Sequence, residues 1–257
     1  MHPAARSLFS ISLGLLAAGP ALAHPTSPDL TARFARGEYL EAAKLAEAAA
    51  GPDDLAFAAR SLLAYCMTGA EEPDAAIVDR ASKDAEAALA AEPAHEEGQL
   101  QLAIALSLKS RAMDVLDAWN KGYGDKGRKL ALAVLKADPG NFYAHGFLAV
   151  WNVEVRRRGG PVGAGVMGAS VKTGREHYRS AMKLAPDDIG IHWQYARALV
   201  ALDARQYGDE AAEVLGRALA ANAGDHVEGV MQKRAATLAE ALKGDRKAAQ
   251  KLARTML

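Results

Sequence analysis

The chain has 257 residues, with apolar side chains at 50%, aromatics at 6% and a formal net charge of zero. That length allows one large or two small domains. The charge balance excludes a phosphate-backbone binder, and a single cysteine, Cys66, excludes an internal disulfide. Cys66 lies in the apolar stretch Leu62–Met67 and reads as a small buried hydrophobe.

Residues 1–23 read as a secretory signal. Arg6 supplies the n-region charge, Leu8 to Ala18 the apolar run, Gly19-Pro20 the helix break and Ala21-Leu22-Ala23 the small-x-small cleavage pattern. The run is about 11 residues, short of the roughly 20 that span a bilayer. Kept uncleaved, the same run would be an anchor; cleaved, it leaves a mature domain over 24–257 with no stable membrane insertion. No cysteine follows the cleavage site to carry a lipid. The expected location is periplasmic or secreted.

From Pro28 onward the pattern is helical throughout, with no sustained period-2 alternation that would mark a strand. A first helix pair runs from about Pro28 to Pro52, with Gly37 closing its first helix. The next pairs Asp54–Met67 with Asp74–Ala91 across Thr68-Gly69-Ala70-Glu71-Glu72-Pro73. A third pairs Glu96–Trp119 with Lys126–Ala137, broken at Lys121-Gly122-Tyr123-Gly124-Asp125. A fourth pairs Asn141–Arg158 with Gly168–Leu184 across a glycine-rich connection from Gly159 to Gly165. A fifth pairs Asp188–Leu202 with Asp209–Ala221, and Asp225–Leu242 with Asp245–Thr255 forms a cap.

Four of these pairs end alike. Pro52, Pro93, Pro139 and Pro186 close alanine-rich segments at spacings of 41, 46 and 47 residues. Proline cannot continue a helix and restricts the residue before it, so each is a punctuation mark between units. Helix pairs repeated at this period predict an all-α fold, a right-handed α-solenoid of about five hairpins and a C-terminal capping pair.

The residues Gly37, Tyr39 and Ala42 resemble the opening of the second helix of a tetratricopeptide repeat. Ala88/Pro93, Val134/Pro139, Ala181/Pro186 and Tyr207/Ala211/Ala218 extend the likeness. Residues from about Leu130 to Ala221 are more specifically similar to the repeat region of regulator-of-microtubule-dynamics proteins and their bacterial relatives. That likeness rests on Ala144 to Val155, Gly168-Ala169-Ser170, His177-Tyr178 and Leu184-Ala185-Pro186-Asp187-Asp188. It implies a helical interaction scaffold and carries no microtubule function over to an exported chain. The chain departs from the repeat pattern at Leu62, where a small residue is usual, and at Gly127 and Gly174 inside helices.

Nothing in the sequence points to catalysis, a metal or a cofactor. Gly163-Ala164-Gly165-Val166-Met167-Gly168 matches GxGxxG, but the dinucleotide fingerprint needs a strand before it, and Trp151–Arg158 reads as helix. His24 would begin the mature chain without a second placed histidine. His145, His177 and His192 fall on three helices without ligand spacing and read as packing residues. Paired acids such as Glu96-Glu97 and Asp187-Asp188 sit at helix starts, where they complement the dipole.

In a tetratricopeptide array the first helix of each unit lines the concave face. Counting from the closing prolines places Leu100, Ile104 and Ser107 there, then Tyr143, Val150, Val153 and Glu154, then Trp193, Arg197 and Val200. Tyr143, Glu154, Trp193 and Arg197, with Leu100 and Ser107, form the candidate partner-binding groove: aromatic faces for stacking, an acid and an arginine for charge-assisted bonds. Trp151 reads as filling space between helices. Glu154 and Arg158 have i, i+4 spacing, and Arg156-Arg157-Arg158 reads as a solvated helix end. The expected function is a scaffold holding a protein or peptide partner in that groove. The alternative is a small-molecule-binding accessory of an envelope transporter. A groove open at both ends favours the first; a pocket closed over 159–168 favours the second.

Overall fold

The computed structural model describes residues 27–69 and 72–257. The expected signal segment 1–23 and His24 lie outside the described residues. Those residues form 12 α-helices and no strand: α1 (Pro28–Ala35), α2 (Tyr39–Ala49), α3 (Pro52–Thr68), α4 (Ala75–Ala91), α5 (Glu96–Arg111) and α6 (Val115–Asn120). After them come α7 (Tyr123–Ala137), α8 (Phe142–Met167), α9 (Val171–Leu184), α10 (Ile189–Ala220), α11 (His226–Lys243) and α12 (Arg246–Thr255).

The closing prolines work as the sequence implies. The residue before each of the last three has left the helical region: Glu92 and Asp138 are extended with ψ of 93° and 94°, and Ala185 has ψ of 75°. Two residues past each proline stands the cap of the next helix. His95 Nδ1 accepts from the Gly98 N–H, Asn141 Oδ1 from Ala144 and Asp188 Oδ1 from Ile191, at 3.0, 3.0 and 2.7 Å. Each side chain satisfies a backbone donor that the first helical turn leaves without a partner. A single turn chemistry therefore sets three helix boundaries.

Two helices differ from expectation. The helix expected over Glu96–Trp119 ends at Arg111, and Asp114 caps the separate short α6 through the Asp117 N–H. The glycine-rich connection is not a loop. Gly160 takes a left-handed φ of 63° before Pro161, which bends the chain, and helix resumes to Gly168, itself at φ 63°. The N–H of Gly168 returns to Ala164 and Gly165, so that end is a C-cap. In α10 a similar break falls at Asp203.

Packing follows chain order. Nearly every helix packs on its neighbours in the chain (α5 on α7, past the short α6), while α3, α5, α8 and α10 also contact one another in series as an inner layer. α4, α7 and α9 lie outside them. The last helices then return to the first, with α11 against α1 and α3. Fully buried alanines, among them Ala42, Ala59, Ala85, Ala149, Ala181 and Ala211, let the helices approach closely. Gly174 explains one departure from the repeat pattern: a Cβ there would stand 2.9 Å from the carbonyl oxygen of Ala149, so α9 can cross α8 only with glycine. Leu62 explains another, since it is fully buried against Phe57, Val78 and Leu102 in the N-terminal core. A larger core around Trp193, Tyr195, Leu199, Leu215 and Leu238 holds the C-terminal half. Cys66 is buried as expected, and burial pushes its thiol up to about 11.

Candidate functional site

The inner helices surround a chamber of about 1020 Å³ that opens to solvent. Its wall is written at helical spacing. On α5 it takes Glu97, Leu100, Gln101, Ile104, Ser107, Leu108 and Arg111; on α8 Tyr143, Phe147, Val150, Glu154 and Arg157; on α10 Gly190, Ile191, Gln194 and Arg197. Steps of three and four residues keep one face of each helix inward. α11 and Leu257 complete the circuit.

Five of the six groove residues expected from sequence line this chamber: Leu100, Ser107, Tyr143, Glu154 and Arg197. Trp193 does not. It is fully buried in the C-terminal core, and its indole N–H donates to the Leu257 carbonyl at 2.9 Å. Residues 191, 194 and 197 face inward on α10, which turns 193 toward the end of the chain. Val153 and Val200 are likewise core residues.

The inner helices enter at the same end of the chamber, and its charge follows. Glu97, Asp188, Asp225 and Glu228 gather where α5, α10 and α11 begin; Arg111, Arg157, Arg158 and Arg197 gather where α5 and α8 run out. Acids at N-termini and bases at C-termini complement the helix dipoles. From Glu97 to Arg111 along α5 the chamber is about 21 Å long. At the acidic end, burial pushes the Asp188 carboxyl up to about 6, against its bonds from Ile191 and Gly190, with Glu228 and Asp225 adding to the rise. Arg60 bridges to Glu97 at 3.2 Å and stacks over Phe57 at 4.7 Å.

At the basic end Glu154 is the hub. Its Oε1 accepts from Arg197 Nη2 at 3.0 Å and its Oε2 from Arg157 Nε at 2.7 Å. Burial alone would raise its carboxyl, but Arg197 and Arg157 outweigh that and hold it low. The pairing read from i, i+4 spacing does not form. Arg158 reaches across to Ser110 and Met113 instead, donating to the Ser110 carbonyl at 2.8 Å and Oγ at 2.9 Å and to the Met113 carbonyl at 2.8 Å. Arg157 and Arg158 are thus not a solvated helix end but part of the chamber. Sequence reasoning missed this cluster because its members come from α5, α8 and α10. The signal available was the inward register of Arg111, one turn beyond Ser107.

The mouth at the basic end is apolar and exposed. Val115, Leu116 and Trp119 on α6 and Val162 and Val166 on the last turns of α8 rim it, with Leu116 74%, Val162 80% and Val166 70% exposed. Trp151 sits behind this rim, buried, with its indole N–H donating to the Gly124 carbonyl at 2.9 Å and Arg128 over its ring at 5.4 Å.

The histidines pack as expected and repeat one arrangement. His145 and His192 each stand six residues after a closing proline, with Nε2 3.3 and 2.8 Å from the carbonyls of Pro139 and Pro186. Those carbonyls accept, so each Nδ1 is an acceptor, from His177 at 2.9 Å and from the Tyr178 hydroxyl at 2.7 Å. Among the described residues no group of three or more His, Cys, Asp or Glu could hold a metal ion. No helix among them is long and apolar enough to cross a membrane. No protein-family model matches the chain, and no curated protein matches it.

Proposed function

We propose that this protein is a non-catalytic binding protein, a right-handed α-solenoid of tetratricopeptide-like hairpins whose lumen takes up a small ligand with an apolar body. The observation that carries this reading is the chamber itself, about 1020 Å³, walled by the inner helices and closed where α11 meets α1 and α3. A binding cavity is usually concave, mostly apolar and furnished with a few convergent polar groups. Here the apolar middle (Ile104, Phe147, Val150, Ile191) lies between an acidic and a basic end. The 161–167 turn beside the mouth supports a pocket rather than a groove open along its length. With the signal segment read from sequence, the role becomes that of an exported small-molecule-binding accessory of envelope transport. N-terminal sequencing of the exported form tests the export step, with His24 expected as the first residue.

A neutral fluorescent probe, N-phenyl-1-naphthylamine, tests the lumen. Saturable binding by wild type and its loss in Val150→Trp, with helix content unchanged by circular dichroism, is the expected result. Equal binding by both proteins would remove the lumen as the site.

A second reading, a protein partner, is favoured by the exposed apolar rim of Leu116, Trp119, Val162 and Val166. Exposed apolar patches of this kind mark interaction surfaces. In-cell crosslinking from position 116 would capture such a partner, and Val162→Asp should lose it.

A further inference from the structure

The basic end of the chamber crowds four guanidinium groups, and besides Glu154 the carboxylates of Glu72 and Asp114 act on Arg111 and Arg158. Arg111, Arg157, Arg158 and Arg197 line it, and Glu154 is the carboxylate among them. Both oxygens of Glu154 are already taken, by Arg197 and Arg157. Arg158 donates to two carbonyls and a hydroxyl, and Arg111 Nη2 donates to the carbonyls of Arg254 and Thr255 at 2.9 and 3.1 Å. Such acceptors satisfy hydrogen bonds but cancel no charge.

Arg197 adds a second, independent observation. Its side chain is 6% exposed, with Nε donating to Gln194 Oε1 at 3.1 Å and Nη2 to Glu154. Its Nη1 is buried with no acceptor. Buried guanidinium donors are nearly always paired, and crowding like charges together is unfavourable unless an anion joins them. Burial and the neighbouring Arg197 push the Arg111 guanidinium down against Glu154 and Glu72, and burial and Arg157 push Arg158 down against Glu154 and Asp114.

We propose that this end of the chamber is an anion subsite for the head group of an amphiphile. The head lies between Arg111 and Arg197, and the apolar body runs along Ile104, Phe147 and Val150. The inference rests on the lumen being a ligand site and names the class of ligand. An arginine pair suits a carboxylate or a phosphate head because its forked donors match two oxygens at once. The apolar wall rejects a head group alone, since a short anion has no body with which to displace water from it.

Isothermal titration calorimetry on the full mature chain tests this with dodecanoate, dodecyl phosphate, dodecanol and acetate. The anionic chain compounds should bind about tenfold or more tightly than dodecanol, and acetate should not bind measurably. Arg197→Met should weaken dodecanoate about tenfold while leaving dodecanol unchanged. Should that variant not fold, Arg111→Gln carries the same comparison. Glu154→Gln removes the competing carboxylate and should tighten dodecanoate severalfold, a gain that misfolding cannot imitate. Dodecanol binding as well as dodecanoate overturns the subsite and leaves the lumen reading standing. Failure of every chain compound overturns both.

Discussion

The joints between helices adjacent in the chain and the seam where the last helices meet the first are built from different materials. At the joints close apolar packing surrounds a few hydrogen-bonded histidines: Ala149, Ala181, Ala196 and Ala211 are fully buried, and Gly174 lets α9 lie directly on α8. At the seam they are polar and directional. The Tyr39 hydroxyl meets His226 Nδ1 at 3.0 Å, and Arg234 donates to the carbonyls of Met67, Thr68 and Leu257. Arg111 reaches the carbonyls of Arg254 and Thr255. Apolar joints between sequence neighbours supply cohesion, because burial is favourable in many orientations. A seam joining residues far apart in the chain needs contacts that specify one position, and hydrogen bonds do that. Losing a joint should unfold the chain, whereas losing the seam should open the chamber.

The sharpest way to break this contrast is at a joint. Gly174→Val would drive a branched side chain into the Ala149 carbonyl and should cost about 3 kcal/mol in urea denaturation, the upper range for overpacking. At the seam, Arg234→Met should cost about 2 kcal/mol, since it strips three carbonyls of a charged donor. Hydrogen exchange should then quicken in α11 and α12 but not in α5 or α8, and uptake of N-phenyl-1-naphthylamine should fall. Exchange quickening uniformly across the chain would show that seam and joints are one cooperative unit. Tyr39→Phe should have a smaller effect of the same kind, about 1 kcal/mol, because it removes one hydrogen bond and leaves the ring packed.

Acid should weaken joints more than the seam. Burial depresses His145, His177 and His192, all at joints, and neighbouring charge adds to this at His177. For a base held below its unfolded value the fold binds fewer protons, so its stabilisation is present above the unfolded value and is lost as pH falls below about 6.5. Asp188 opposes this. Raised to about 6, it disfavours the fold at neutral pH, and that cost is relieved as pH drops through about 6 toward its ordinary value. Denaturation midpoints should therefore decline from neutral pH with a shallow slope. His192→Asn should flatten that slope and Asp188→Asn should steepen it; an unchanged slope in both would remove these groups as its cause.

Helix starts, stops and the inward stripe were legible because their causes are local. Proline, the extended residue before it and a capping side chain two positions on act within a few residues, and a helix face follows from spacing alone. Leu100, Ser107, Tyr143, Glu154 and Arg197 were placed on the inward face on that basis, and they line the chamber. Trp193 was misplaced because a rotation of one residue, about 100°, separates lumen from core, and the carbonyl of Leu257 decides it across 64 residues. The 161–167 turn was hidden because its glycines give a weak helix signal, and its ends are set by Gly160 and Gly168 in a conformation that the residue type permits but does not dictate.

The sequence by itself determined an all-helical chain, its turns and most of the faces that point inward, because capping, proline geometry and helical period operate over short distances. Only the tertiary structure decided that the ends meet, that Arg157 and Arg197 share the Glu154 carboxylate beside Arg111 and Arg158, and that the interior is a chamber with an acidic and a basic end. Those features depend on how successive rotations between helices add up, and no single segment encodes that sum.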